Sequence, residues 1–444
     1  MPPPAAPRIL IACFGSLGDL HPYVALARAL AGLGAAPVLA SVPDYAPIVA
    51  AEARTSGLSI GFVPVRPGMA EFGDPAAMMA RLFHPVRGPA YLIRDVAMPW
   101  VARGYADLED AAAGADLVVT HPLAFGAMLH AERLGLPWVS TVLAPMSLLS
   151  CEDPPVIPGA RWLFALRRLG VAPYRTVFGL ARRMMRRWEQ PLHDLRRDIG
   201  LPATTRVFGF EGQYSPRLNL AMFPSVLARP HSDWPAATLV TGAARFDGEA
   251  PDQAVRARLD AFLAAREAPL VFALGSSAVL IAGDFWQHAI SASRALGRRA
   301  ILLTGAEPEA LGPLPEGVAA FRYLPYSLVF PHAAAVIHQA GIGTLSQALA
   351  AGRPQLIVAV AFDQPDNARR TAMLGVARVL PFRRVSARAL RRELSALLAD
   401  EGAAAAANRI AAKVNAEDGA RNAARATIAV LAAGVRRGTT TTTP

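Results

Sequence analysis

The sequence predicts an α/β protein built from two Rossmann-like halves, and three observations lead there. Its 444 residues exceed one compact domain and suit two or three, at roughly 150 residues each. Short β-rich apolar runs alternate with Ala/Leu-rich stretches at helical spacing, the rhythm of a parallel sheet covered on both faces. That rhythm begins twice, and each time the opening strand runs into a Gly/Ser turn.

The first series opens with a strand over Arg8–Phe14, a turn over Gly15–Asp19 and a helix over Tyr23–Ala31. A strand over Ala36–Ser41 and a helix from Asp44 follow. Asp116–Thr120 is the next strand, then the helix Phe125–Leu134 and the strand Pro137–Leu143. Between about 145 and 215 the alternation stops, and Pro-rich turns lead into a basic helical stretch. LNLAMFPSVL and then ATLVTGAARFD suggest the last elements of the first domain, expected over 1–235, and a linker.

The second series, expected over 236–420, starts with the strand Leu270–Leu274 and the turn Gly275–Ser277, then the helix Phe285–Leu296. Strands follow at Ala300–Thr304, Ala319–Tyr323 and Ala335–His338, the last ending in the turn Gln339–Gly343. A helix to Ala351, the strand Gln355–Val360 and a helix from Asn367 complete it. An Ala-rich helical end reaches 434, and the threonine tail 439–443 is expected to be disordered.

Composition removes several classes. An apolar fraction of 53% against 18% charged residues allows a large core and excludes a disordered chain. Two cysteines, Cys13 and Cys151, exclude a disulfide scaffold and a Cys-based zinc site. The apolar run Ile9–Phe14 is too short for a signal peptide or a membrane helix, so a cytoplasmic enzyme or binding protein is expected. The net charge of +11 admits nucleic acid, anionic membrane or a phosphorylated ligand. No basic motif with interleaved stacking aromatics appears at recognition spacing, which argues against nucleic acid.

Ligands of open α/β sheets bind beyond the carboxyl ends of the strands, which directs attention to residues 338–370. Gly341 and Gly343 let backbone amides approach an anion, and the helix after Thr344 adds its positive end. His338 supplies a donor, and the next strand ends in Asp363–Gln364. A diphosphate joined to a polyhydroxylated group suits this set, with phosphates on the amides and His338 and hydroxyls on Asp363 and Gln364. The glycines alone would serve equally as a tight strand–helix turn.

The longer string HxxGxGTxxxxLxxGxPxxxxxxxxDQxxNA resembles the donor-binding segment of family 1 glycosyltransferases. The resemblance is strongest over 8–40 and 319–380 and weakest over 60–110 and 145–215. It implies a GT-B fold, two Rossmann-like domains facing a central cleft, with the C-terminal helix (421 onwards) returning to the first domain. It implies a nucleoside-diphosphate sugar as co-substrate, no cofactor and no metal. No two aspartates stand at i, i+2, so the metal-holding DxD arrangement is absent. Ser276 and Ser277 resemble the phosphate-facing turn of the donor domain, and Tyr323 the base-stacking aromatic, although a strand-end tyrosine also suits a core. The family often has His-His-Gly where this chain has His338-Gln339-Ala340, so Gln339 inherits no role.

The turn GSLGDLHPYVALARAL resembles the bacterial branch that glycosylates lipids, sterols and antibiotic aglycones. The resemblance makes Asp19 the general base that takes the proton of an attacking acceptor hydroxyl; capping the following helix is its structural alternative. His121 is expected across from it as its partner, or else as a strand-end residue before Pro122. Inverting displacement onto a lipophilic small-molecule acceptor, as in rhamnolipid rhamnosyltransferases, is what the family implies. Met79, Phe83, Tyr91 and Trp100 are the candidate acceptor contacts in an apolar, Met-rich stretch that would serve a core as well. A GT-B nucleotide-sugar 2-epimerase and a non-catalytic sugar-nucleotide-binding partner subunit are the rivals.

Most of the positive charge is local. Residues 161–197 hold ten arginines against Glu189 and Asp194, a net +8, interleaved with Trp162, Phe164, Leu166, Phe178, Met184, Met185 and Trp188. Such a run is a solvated helix face, or a surface that rests on the anionic inner face of the plasma membrane.

Overall fold

A computed structural model describes residues 6–265 and 267–438. The first sheet is wholly parallel with seven strands in the order β3-β2-β1-β4-β5-β6-β7. Its strands are β1 (Arg8–Ala12), β2 (Ala36–Ser41), β3 (Gly61–Pro64), β4 (Leu117–Thr120), β5 (Trp138–Val142), β6 (Asn219–Ala221) and β7 (Thr238–Val240). The second sheet is also parallel, in the order β10-β9-β8-β11-β12-β13. It comprises β8 (Leu270–Ala273), β9 (Ala300–Leu303), β10 (Val318–Phe321), β11 (Ala335–His338), β12 (Gln355–Ile357) and β13 (Ala377–Val379). In register, Ile9–Ala12 lie beside Leu117–Thr120 and Ala335–His338 beside Leu270–Ala273.

The central strands are buried on both faces: Ile9, Leu10, Ile11, Val118, Val119, Phe272 and Ile337 are inaccessible to solvent. This explains why these segments read as continuous apolar runs instead of alternating ones. In each sheet the order reverses beside the opening strand, between β1 and β4 and between β8 and β11. Two crevices thus form at the strands' carboxyl ends, the positions where open α/β sheets take ligands.

β7 pairs with β6, so the first domain extends past the expected limit at 235. The short strands β3 and β13 carry too little pattern to be read from sequence. The helix Gly419–Gly438 packs back on the helix Leu17–Gly32, with Ala423 and Ala424 fully buried in the first domain's core. The expected disordered tail 439–443 lies outside the described residues. No helix among the described residues is long and apolar enough to cross a membrane.

The region 145–215 is helical, as expected of the basic insert: a 3-10 segment Arg161–Leu169, then the helices Ala172–Trp188 and Gln190–Asp198. Tyr174, fully buried, donates its hydroxyl to the Leu163 carbonyl at 2.7 Å and so anchors the helix to the 3-10 segment.

Candidate active site between the two domains

Three loop-to-helix turns converge on one cleft. The helix Leu17–Gly32 contacts both the helix Ile342–Ala350 and the short helix Gly275–Ala278, across the domain boundary. A Cβ on Gly343 would lie 3.9 Å from the Gly18 carbonyl oxygen. The amino ends of helices from both domains therefore point at one space. Their partial positive charges favour an anion there.

On the first domain's side, Gly15 has φ +139°, and a Cβ on it would collide with the Asp19 carboxylate at 2.3 Å. Glycine is needed because Asp19 folds back over the turn. Asp19 Oδ2 accepts from the Ser16 amide at 2.7 Å and from Ser16 Oγ at 3.0 Å. Its Oδ1 faces His121 Nε2 at 3.8 Å. The two carboxylate oxygens of Asp19 thus face different ways: one holds the start of the helix, the other is turned to His121.

His121 follows β4, beside the turn that follows β1. Its Nδ1 accepts from the Leu123 amide at 3.1 Å, which leaves the proton on Nε2, towards Asp19. Burial lowers its pKa, opposed by the charge of Asp19, so the ring is neutral near pH 7. Behind it, Tyr23 stands edge-on at 6.0 Å, its hydroxyl 2.5 Å from Thr141 Oγ1. Thr141 in turn donates to the Thr120 carbonyl. Sequence reasoning missed Tyr23 and Thr141 because they meet 118 residues apart in the chain, and Ser16 because its bond to Asp19 forms only when the turn folds.

Across the cleft, Ser276 is exposed, and Ser277, Gly341 and Gly343 are half-buried around the two helix ends. Thr344 is buried, 3.5 Å from Gln339 Nε2. Gln339 fills the gap between the two glycine turns: a Cβ on Gly275 would meet its Nε2 at 2.1 Å, and one on Gly341 at 2.9 Å. Ala340 adopts φ +66° and Phe362 φ +53°. Left-handed backbone at two non-glycine residues costs of order 1 kcal/mol each and brackets this loop system with strain.

His338 departs from expectation. It is fully buried; Nε2 bonds Gln355 Oε1 at 3.0 Å and Nδ1 accepts from the Ala340 amide at 3.1 Å. Burial lowers its pKa to about 4. Both ring nitrogens are thus occupied and uncharged, so His338 shapes the loop and offers no donor to the cleft.

Asp363 accepts from Asn367 Nδ2 at 2.7 Å, and the same nitrogen donates to the Ala340 carbonyl at 3.0 Å. Burial, reinforced by the negative charge of Asp19, pushes the Asp363 carboxyl up to about 7, against the pull of Asn367. Two carboxyls from different domains thus sense each other over the cleft. Gln364 Oε1 accepts from the Val360 amide at 2.9 Å and the Ala361 amide at 3.3 Å, so only its amide nitrogen is free to serve a ligand. Asn367 stood inside the sequence string without a role; the structure makes it the tie between Asp363 and the glycine loop.

The aromatic candidates divide. Tyr323 is 46% exposed, with its hydroxyl donated to the Asp247 carbonyl of the interdomain segment, so its ring is held open to solvent. Trp100 lines an apolar cavity of about 60 Å³ with Phe14, Val65, Leu123 and Phe125, beyond the ends of β1 and β4. Tyr91 is half-buried against the second domain's core cluster. Met79 and Phe83, expected at the acceptor, are only 9% and 8% exposed. They are buried in that same cluster, and Phe83 meets Phe362 edge-on at 5.6 Å. Burial of each contributes roughly 1.5–3 kcal/mol, which makes them part of the seam between the domains.

Comparison with known proteins places this geometry. Residues 297–430 match the family model of the erythromycin biosynthesis protein CIII-like C-terminal domain. The chain is 32% identical over 430 residues to O-mycaminosyltylonolide 6-deoxyallosyltransferase of Streptomyces fradiae, covering 94% of this chain and 96% of that protein. It is a family 1 glycosyltransferase. The enzyme is also 31% identical over 382 residues to dTDP-epi-vancosaminyltransferase of Amycolatopsis orientalis, covering 83% and 84% of the two chains. Among solved structures, spinosyn forosaminyltransferase SpnP superposes with a TM-score of 0.70 at 18% identity, covering 96% of this chain and all of that one. Glycosyltransferase VinC, solved in complex with dTDP, gives 0.66 at 24% identity over 96% of this chain and 100% of its own. These likenesses identify the glycosyltransferase's architecture as GT-B. Among its described residues, no three His, Cys, Asp or Glu side chains gather as a metal site.

Proposed function

We propose that this glycosyltransferase moves a hexose or deoxyhexose from a nucleoside-diphosphate sugar to a hydroxyl of an apolar aglycone, without a metal and with inversion. The observation that carries the proposal is Asp19 Oδ1, turned into a cleft whose far wall is the helix end at Gly341–Thr344. The acceptor oxygen attacks the anomeric carbon as that carbon's bond to the diphosphate breaks, and Asp19 takes the hydroxyl proton. Leaving-group charge falls on the backbone amides of Gly341–Thr344 and the hydroxyls of Ser276 and Ser277. His121 directs its Nε2 proton towards Asp19. Asp363 and the Gln364 amide take sugar hydroxyls, and Tyr323 presents a face to the base.

Two relatives support a deoxysugar donor and an antibiotic-like aglycone, one named for 6-deoxyallosyl transfer to O-mycaminosyltylonolide and the other for dTDP-epi-vancosamine. The rhamnose or glucose donor and the lipid or sterol acceptors implied by the sequence resemblance are narrower choices within the same chemistry. A panel of dTDP- and UDP-sugars, with and without macrolide and sterol alcohols, tests the proposal. Release of the nucleoside diphosphate (dTDP or UDP) that requires the alcohol, in the presence of a chelator, is the expected result. Acceptor-independent isomerisation of the sugar would overturn it in favour of an epimerase.

We propose further that the insert rests on anionic lipid. Among the described residues, Arg168, Arg175, Arg183 and Arg187 have no carboxylate partner, whereas Arg182 pairs with Glu211 and Arg196 with Glu132. Trp162, Leu169 and Leu180 stand 69%, 71% and 64% exposed beside them. Unpaired cations around exposed apolar side chains complement an anionic interface. Co-sedimentation with phosphatidylglycerol vesicles and not with phosphatidylcholine vesicles is expected, lost at about 0.5 M salt through screening. Equal binding to both, or to neither, rejects this surface.

A further inference from the structure

Beside the cleft, the helix Gln364–Met373 is locked to the opposite domain by a largely buried ion-pair network. Asp366 is fully buried and Arg370 is 6% exposed. Arg370 Nε donates to Asp366 Oδ2 at 2.6 Å, and its Nη1 reaches Asp153 Oδ2 of the first domain and the Leu227 carbonyl at 3.2 Å. Asp366 Oδ1 accepts from the Val156 amide at 3.0 Å, and Arg369 meets Asp153 at 3.4 Å. Both ends of the connection are fixed. On the first domain, Asp233 accepts from Ser150 Oγ at 2.7 Å and from the Cys151 and Glu152 amides at 2.6 and 3.1 Å, so the loop bearing Asp153 has little freedom.

On the second domain, Asp363, Asp366, Asn367 and Arg370 follow one another at spacings of three, one and three residues, which sets them on one helix face. Asn367 carries the connection to Asp363 and to the Ala340 carbonyl. A fold held only by its two cores has no need of a charged network placed one turn from the residue facing the sugar. The network's position fits an adjusting role: whatever moves Asp153 moves the helix that begins at Gln364.

We infer that Asp153, through Arg370 and Asp366, is a positioning residue that sets Asp363 and Gln364 against the donor's sugar. The inference rests on the donor site proposed above. The diphosphate loops at Gly275–Ser277 and Gly341–Thr344 belong to the second domain; Asp153, Asp366 and Arg370 make no hydrogen bond to them among the described residues, and the network reaches the glycine loop only through Asn367 and the Ala340 carbonyl. Loss of Asp153 therefore acts on the sugar end of the donor and spares the nucleotide end.

Asp153→Ala is expected to raise KM for dTDP-glucose about tenfold, with kcat changed by less than about threefold and dTDP affinity by less than about twofold. In the ligand-free enzyme, amides of 364–373 should exchange faster in the variant than in the wild type. Asp153→Asn, which keeps an acceptor for Arg370, should recover most of the KM and stands in should the alanine variant fail to fold. Equal losses for dTDP and dTDP-glucose, or unchanged exchange over 364–373, overturn the inference. Failure of the wild type to bind dTDP would instead remove the donor-site proposal, while the exchange measurement still decides whether Asp153 holds the helix.

Discussion

Asp19→Asn is expected to lower kcat by about 10²–10⁴, the range that a positioned general base supplies, with dTDP binding almost unchanged. The substitution is nearly isosteric. The amide oxygen can still accept from the Ser16 amide and hydroxyl, so the turn that starts the helix at Leu17 survives. What disappears is the oxygen with a free lone pair and a negative charge in front of His121. The turns proposed to face the phosphates stand on the other domain, so nucleotide affinity is expected to hold.

A second readout separates loss of a base from general damage. The charge of Asp19 helps to push Asp363 up to about 7. Removing that charge lets Asp363 ionise at lower pH, because one of the three influences disfavouring its carboxylate (burial, Asp19 and Asp366) has gone. If the carboxylate form accepts the sugar hydroxyls, KM for the donor improves in the wild type as pH rises through about 7. In Asp19→Asn the same improvement shifts to lower pH. An unshifted donor profile would separate the two carboxyls, and retained turnover would deny Asp19 its role as base.

The turn at Gly15–Asp19 was legible because its signals are local: a short β-rich run, two glycines and an acid just before a helical stretch, whereas the part Ser16 plays in holding Asp19 shows only in the folded turn. Asp363 and Gln364 were legible for the same reason, being a polar pair at the end of an apolar strand. His338 has the same outward pattern, yet its fate is decided by Gln355, a residue 17 positions on that reaches it only because β11 and β12 lie side by side. Met79 and Phe83 show the complementary difficulty. An apolar side chain announces that it will be buried but not against which surface, and here the surface belongs to the other domain. Charge behaves likewise: Asp153, Asp366 and Arg370 are ordinary residues in the sequence and become a unit only when two domains close on them.

That unit should be among the most sensitive points of the fold. Arg370→Ala is expected to destabilise the helix Gln364–Met373 by about 3–5 kcal/mol, the cost of leaving one partner of a buried ion pair without its counter-charge. The partner left behind is Asp366, fully buried, with the Val156 amide at 3.0 Å and Arg369 Nε at 3.5 Å as its remaining polar neighbours. An amide hydrogen bond and a more distant cation do not replace a guanidinium at 2.6 Å. Removing both charges is a different matter: Asp366→Asn combined with Arg370→Met fills a similar volume and leaves no buried ion, so it should recover most of the loss. Native-state hydrogen exchange over residues 364–373 measures each variant locally, which suits a two-domain chain whose global unfolding need not be two-state. A single substitution costing under about 1 kcal/mol would place the pair among surface ion pairs in energy. A double variant no better than the single one would show that Arg370 matters for its contact with Asp153 more than for neutralising Asp366.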